Sequence, residues 1–320
     1  MADTEQFDDV FSMMEGAEGH GELAQAAIER TKALPIWTGP VKPTVQPGGV
    51  SNLNLIVEDR GRKYAIRCGE DEPHIGVFRE NEVNAYRAAA AIGLAPEVIH
   101  SEKGLIVAAF VEGKVLTPAD ARSEHYLLRI VERLRFLHDN AHHHLDGNNF
   151  MFWPFHHSRW YINQGMAFGD VMDKKWRDVY PGLITLIDEL EEVTGRVRIV
   201  FSHNDIQPQN FIDDGKKLWL VDWEYAGFSA DLFDLGMAGM VVDTTPEETR
   251  LLLESYFQAP MTDELRRRFE AQVVIACVRE MTWSFMAEVT PRPVDFDWRI
   301  YSDMNYERFL KRLAVYREAA

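Results

Sequence analysis

Between residues 203 and 225 the chain reads His203-Asn204-Asp205-Ile206-Gln207-Pro208-Gln209-Asn210, then a short apolar stretch, then Leu220-Val221-Asp222-Trp223-Glu224-Tyr225. Phe211-Ile212 and Leu218-Trp219-Leu220-Val221 read as two short strands joined by a polar turn at Asp213-Asp214-Gly215-Lys216. Such a hairpin returns Asp222 to the side of Asn210. Any one of these polar residues alone would read as a turn or a strand-end cap. The joint spacing of Asp205, Asn210 and Asp222 demands a loop, a hairpin and a carboxylate at its far end, and few folds supply that arrangement.

The spacing matches a known chemical requirement. In phosphoryl transfer the protein orients a hydroxyl and holds metal ions against nucleotide phosphates, with little covalent chemistry of its own. In the pattern H-x-D-x-x-x-x-N the Asp accepts the proton of the attacking hydroxyl and the Asn gives an amide oxygen to a metal ion. On this reading Asp205 is the base, and Asn210 and Asp222 are the metal ligands. Magnesium fits, since it takes hard oxygen donors and one or two carboxylates beside substrate phosphates.

The acidic balance, a formal net charge of −17, argues against a nucleic-acid partner and is compatible with a cationic substrate. No apolar run approaches the roughly 18 residues of a membrane span, and the acidic segment Met1 to Glu22 lacks the features of a signal peptide. A cytoplasmic protein is expected. Cys68 and Cys277 lie far apart inside apolar segments, so neither a disulfide framework nor a cysteine zinc site is indicated. The histidines of 142–144 and 156–157 are read as solvated loop residues, because they lack helical or Cys-paired zinc spacing.

Along the chain, residues 22–34 read as a helix ended by Pro35, and strands follow at 44–46, 53–57 and 63–67. The Gly48-Gly49 turn between the first two allows backbone to approach phosphates closely. Arg67 ends the third strand where a kinase carries its phosphate-binding lysine, and Glu80 or Glu82 on the next helix is its expected partner. Strands at 98–100 and 105–111 lead to a hinge at Glu112-Gly113, with adenine expected against the backbone of Ala109 to Val111. Helices are expected at 124–138, 181–192, 246–257 and 263–289, and Met151 to Phe155 as packing between helices. The expected organisation is an N-terminal extension and helix (1–35), a nucleotide-binding lobe (36–112) and a catalytic and substrate-binding lobe (113–320).

The chain resembles the choline/ethanolamine kinase group within the aminoglycoside phosphotransferase-like kinases, especially bacterial choline kinases of the lipopolysaccharide-modifying type. The resemblance covers roughly residues 35–312. It is carried by Gly48-Gly49-Val50-Ser51-Asn52, Tyr64-Ala65-Ile66-Arg67, Arg79-Glu80-Asn81-Glu82, Phe110-Val111-Glu112-Gly113, the run 203–210, Asp222 to Gly227, and Asp231 to Gly236. It implies an α+β, two-lobed protein-kinase-like fold, with a small antiparallel-sheet lobe and a larger, mainly helical one. It further implies ATP in the cleft near Gly48, Gly49, Ser51, Asn52, Arg67, Glu82, Ala109 and Val111, and Mg2+ at Asn210 and Asp222. The spacing to Pro96 favours Glu82 over Glu80.

For the alcohol, similarity to choline kinases points to Asp205, Gln207, Tyr225, Trp283 and Tyr301, with Glu224 and Glu280 as nearby carboxylates. Aromatic faces and carboxylates suit a quaternary ammonium, which has no hydrogen to donate. One departure stands out: Glu280 occupies the position where choline kinases often carry a second tryptophan, and a carboxylate there suits an amine with N–H donors. Arg279 beside it leaves open that the two pair with other surface charges. The expected activity is phosphorylation of choline or an ethanolamine derivative by a monomer or homodimer. Thiamine or aminoglycoside phosphorylation, and a catalytically silent nucleotide-binding protein, are the alternatives. The run after Asp222 does not read as the activation loop of a protein kinase.

Overall fold

The computed structural model describes residues 21–46, 52–147, 149–290 and 296–319. The Gly48-Gly49 turn and Ser51 lie outside the described residues, as does the segment 1–20.

Helix α1 (Gly21–Lys32) precedes strands β1 (Thr44–Gln46), β2 (Leu53–Asp59) and β3 (Arg62–Cys68). Helix α2 (Arg79–Ala91) then leads to β4 (Val98–Glu102) and β5 (Leu105–Ala109). The strands form one antiparallel sheet in the order β1-β2-β3-β5-β4. Between β2 and β3 the turn residues Arg60 and Gly61 both have positive φ, +51° and +73°. That is the backbone of a tight primed turn, whose twist matches the flanking strands. Side chains alternate across the sheet. Leu55, Val57, Ile66, Leu105 and Val107 pack with Ala27 and Leu34 beside α1. Ile106 and Ala108 face the other way, into the core that holds Ala85, Tyr86 and Ala89 of α2. Arg67 lies between Ile66 and Cys68, so it faces the α2 side.

The remainder is mainly helical: α3 (Glu124–Asn140), α4 (Pro154–Met166), α5 (Lys174–Thr194), α6 (Asp231–Val242), α7 (Pro246–Phe257), α8 (Asp263–Val289) and α9 (Trp298–Ala319). After β6 (Lys114–Val115), two short ladders interrupt the helices. Strand β7 (Ile199–Ser202) pairs antiparallel with β10 (Gly227–Ala230), and β8 (Phe211–Asp213) pairs with β9 (Leu218–Leu220). Helix α8 is buried on every face from Phe269 to Ala287 and packs against α4, α5, α6 and α9, so it is the axis of this portion. A Cβ on Gly236 of α6 would stand 2.8 Å from the Gln272 backbone, so only glycine permits this approach of α6 to α8. None of the described helices is long and apolar enough to cross a membrane.

Three expectations need correction. His156 and His157 are helical, in α4, where Pro154 occupies a first-turn position whose missing N–H costs nothing. Phe155, Ser158, Ile162 and Gly165 form its buried stripe at helical spacing. Helix α5 starts at Lys174, and Pro181 lies inside it. The proline removes the hydrogen bond to Arg177 O, but Trp176 and Tyr180 pack against Phe285 and hold the first turns on the core. Strand β5 stops at Ala109, and Val111 lies beyond it.

Candidate active site

The loop after β7 is shaped by Asp234, near the start of α6. Its Oδ2 accepts from the His203 amide at 3.0 Å and its Oδ1 from the Asn204 amide at 2.7 Å. Asn204 sits in the left-handed region, with φ +64°, and its side-chain amide donates to Tyr225 O at 3.0 Å. Asn is among the few residues that adopt this backbone readily. Buried His138 stands 3.0 Å from Asp234 Oδ2 and 2.6 Å from Tyr256 Oη. Burial opposes ionisation of Asp234, but the bond with His138 and the His203 amide outweigh it and hold the carboxyl below its usual range. His203 donates through Nε2 to Val221 O at 3.0 Å and is held neutral, mainly by burial.

This geometry delivers Asp205 and Asn210. The Asn210 side-chain amide donates to Asp205 O at 3.0 Å, which leaves its Oδ1 as the atom able to accept or ligate. The Val221 amide donates to Asn210 O at 2.9 Å, so the β8–β9 hairpin returns Asp222 beside Asn210 as expected. Asp222 too is left-handed, with φ +69°. The Asp205 carboxyl keeps 17% exposure. Withdrawal from water raises its pKa well above the usual range; Glu280, Asp222 and Glu224 add to the effect and Arg279 opposes it.

Strand β3 brings Arg67 to the same place. Its Nη2 lies 2.5 Å from Asp222 Oδ1 and 3.0 Å from Glu224 Oε2, and its Nε lies 2.5 Å from Glu82 Oε1. Glu82 is buried, whereas Glu80 is exposed. Arg79, one helical turn before Glu82, closes the network through Glu82 Oε2 at 2.7 Å and Glu224 Oε2 at 3.1 Å. Asn52 donates to Glu224 Oε2 at 2.9 Å. Burial raises the Glu82 pKa, with Arg67 and Arg79 opposing it. Glu224 therefore belongs with Asn52, Arg67 and Arg79, and not with the aromatic residues where it was expected. Its neighbour Tyr225 points to the other cluster. At the expected adenine contact, the amides of Ala109 and Phe110 donate to Glu97 O and Lys63 O. Those two amides serve the sheet; Val111 follows them.

The expected alcohol-binding residues form a second cluster, on α8 and α9. Trp283 Nε1 donates to Tyr225 Oη at 2.8 Å, and Tyr301 Oη donates to Glu280 Oε1 at 2.5 Å. The rings of Trp283 and Tyr301 meet edge to face, with centroids 6.1 Å apart. Glu280 Oε2 accepts from Arg279 Nη1 at 2.7 Å. Arg279 and Glu280 are both buried and pair with each other, which overturns the surface-charge reading. Gln207 is buried, two residues from Asp205, and its Oε1 has no partner among the described residues. Among the described residues no group of three or more His, Cys, Asp or Glu side chains could hold a metal ion. The expected pair of one amide oxygen and one carboxylate is a smaller set.

Residues 45–302 match the family described as choline/ethanolamine kinase. The chain belongs to that family. A probable ethanolamine kinase of Arabidopsis thaliana is 24% identical over 294 residues, covering 83% of this chain and 78% of the relative. Among solved structures, choline kinase LicA from Streptococcus pneumoniae superposes with TM-score 0.71 at 19% identity, over 92% of this chain and 100% of that one. LicA in complex with AMP gives TM-score 0.70 at 18% identity, over 94% and 100%.

As a choline/ethanolamine kinase family member, the protein is a small-molecule phosphotransferase acting on an alcohol. The residues that shape the site but were given no role in it from the sequence are Arg79, Asn204, Asp234 and Arg279. Asp234 had a signal, an Asp buried in an otherwise apolar run from Leu232 to Met240. Arg279 had one too, since a charge flanked by Cys277-Val278 and Met281 in a long apolar helix must be paired inside the core.

Proposed function

We propose that the protein transfers the γ-phosphoryl group of ATP to the hydroxyl of a small amino alcohol of the choline/ethanolamine class. The observation that carries this reading is the connection of Asp205, Asn210 and Asp222 by the Asn210–Asp205 and Val221–Asn210 hydrogen bonds. Asp205 accepts the hydroxyl proton or orients the hydroxyl. Asn210, through its amide oxygen, and Asp222, through its carboxylate, would hold magnesium. The ion's contribution when bound is neutralisation of phosphate charge. Hard oxygen donors, one of them anionic, fit that ion.

Arg67 steadies the phosphates and Glu82 orients Arg67, with Arg79 holding Glu82 from its other side. Nucleotide sits against the sheet in this reading; that the structural neighbour LicA binds AMP supports the use of an adenine nucleotide. Tyr225, Trp283, Tyr301 and Glu280 form the acceptor side, with Gln207 at its edge. Residues 36–112 act as the nucleotide-binding lobe and 113–320 as the catalytic and substrate-binding lobe.

The test is magnesium-dependent ATP consumption by the purified protein across choline, ethanolamine, its mono- and dimethyl forms, thiamine and an aminoglycoside, with Asp205→Asn as control. An Asp205-dependent response to an amino alcohol supports the proposal. A response confined to thiamine or the aminoglycoside overturns it, as does silence, with ATP binding intact, across this panel together with 2-amino-1,3-propanediol and serine.

A further inference from the structure

A cation of the protein's own already lies beside the catalytic loop. Arg279 has a side chain 2% exposed, with Nη1 2.7 Å from Glu280 Oε2 and 3.8 Å from Asp205 Oδ1. Its guanidinium carbon stands 4.4 Å from the Tyr225 ring centroid and 5.8 Å from that of Phe152. Aromatic faces and a carboxylate are the features that would hold a quaternary ammonium, and here Arg279 engages both. Glu280 is committed on each oxygen, to Arg279 and to Tyr301.

Arg279 also has donors to spare. Nε and Nη2 are buried without a hydrogen-bond partner among the described residues. Guanidinium has five N–H groups, and buried ones left unpaired are costly. A purely structural ion pair would be expected to satisfy them from the surrounding core.

We infer that Arg279 is a specificity-determining residue, and that the alcohol this site takes carries an oxygen acceptor beside its reacting hydroxyl, a carboxylate or a second hydroxyl. This rests on the assignment of Asp205 to the reacting hydroxyl. That hydroxyl must lie within about 3.2 Å of the Asp205 carboxylate. An oxygen a few bonds further along the substrate then falls within reach of the guanidinium whose Nη1, the nitrogen hydrogen-bonded to Glu280, stands 3.8 Å from the same carboxylate. A site built to hydrogen-bond a substrate group discriminates strongly against the analogue that lacks it. Choline and ethanolamine lack such a group.

A matched series tests this. Ethanolamine, 2-amino-1,3-propanediol and serine share the HO–CH2–CH–N unit and differ in one substituent: hydrogen, hydroxymethyl or carboxylate. Phosphorylation of each, and of choline, is measured as kcat/KM on the wild-type protein and on Arg279→Met/Glu280→Gln, which removes the Arg279–Glu280 pair together rather than breaking it from one side. The diol or serine is expected to exceed ethanolamine by on the order of a hundredfold. Whichever of the two leads identifies the acceptor as neutral or anionic. In the double variant the advantage collapses through KM for the alcohol, with KM for ATP unchanged. Ethanolamine or choline equal to or better than both oxygen-bearing alcohols overturns the inference and leaves the kinase assignment standing; so does an advantage that survives in the variant. The wild-type comparison decides even if the variant does not fold. Absence of Asp205-dependent transfer to any of the four alcohols rejects the assignment and the inference together.

Discussion

Arg67 and Asp222 are separated by 155 positions in the sequence and meet between Nη2 and Oδ1 at 2.5 Å. The contact joins β3 of the sheet to the end of the β8–β9 hairpin. It is drawn tight because Glu82 and Glu224 flank the same guanidinium. Arg67 therefore ties the sheet to the hairpin, beside the Asn52–Glu224 and Arg79–Glu224 contacts, and is the residue proposed to steady the phosphates.

Replacing Arg67 by Met leaves Glu82, Asp222 and Glu224 with Arg79 as the remaining cation of the network. Breaking a buried pair from one side costs about 3–5 kcal/mol. Chemical unfolding is expected to show a loss of that order, and KM for ATP to rise at least about tenfold, the equivalent of one charge-assisted hydrogen bond. An unchanged KM for ATP removes Arg67 from the nucleotide site.

Asp205→Asn is expected to lower kcat by about 10²- to 10⁴-fold, the usual weight of a positioned base, with ATP binding largely retained. The raised pKa of Asp205 adds a pH signature. The base works ionised, so kcat/KM falls as pH drops through a value above the ordinary carboxylate range. The stability sign is opposite. A folded pKa above the unfolded one favours the native state at low pH, and that contribution is lost as pH rises between the two values. The Asn variant at pH 7 is thus expected to be as stable as the wild type or more so, by thermal unfolding, while nearly inactive. Marked destabilisation would show that the carboxylate serves the fold.

Asp234→Asn replaces an acceptor pair by one acceptor and one donor, and its new N–H faces a backbone amide of the catalytic loop. A cost of about 2 kcal/mol or more is expected, together with a fall in kcat. Asp234 has a lowered pKa, so its contribution is present above the ordinary carboxylate range and disappears as pH falls through the folded value. An acid-unfolding profile of the variant should be flatter in that window. An identical profile would place the acid sensitivity elsewhere.

Gly236→Ala introduces a Cβ 2.8 Å from the Gln272 backbone. Relief requires α6 and α8 to separate, at about 1–3 kcal/mol. A lower thermal midpoint is expected, and an unchanged one would mean that the helices adjust freely.

The catalytic loop and the hairpin behind it were legible because each follows from local spacing and turn chemistry. Glu82 was legible through its distance from Pro96. Glu224 was misassigned because sequence adjacency to Tyr225 suggested a shared pocket, whereas successive residues there point to opposite clusters. Helix α4 was hidden by its histidines and aromatics, which read as a loop although their burial recurs at helical spacing. Pairing of Arg279 with surface charges was left open because its burial against Tyr225 and Phe152 depends on neighbours distant in sequence. Asp234 escaped for the same reason: its partners, the amides of His203 and Asn204, are brought to it by the β7–β10 pairing.

The most direct measurement follows the γ-phosphoryl group itself. ATP labelled at that position is incubated with magnesium, the protein and ethanolamine, choline, 2-amino-1,3-propanediol or serine, and label is measured in the alcohol. Transfer to at least one of them by the wild-type protein, reduced at least about a hundredfold by Asp205→Asn, is the expected result. Label that remains in ATP, goes only to water, or reaches the alcohol equally well in the variant would contradict the kinase mechanism proposed for this site.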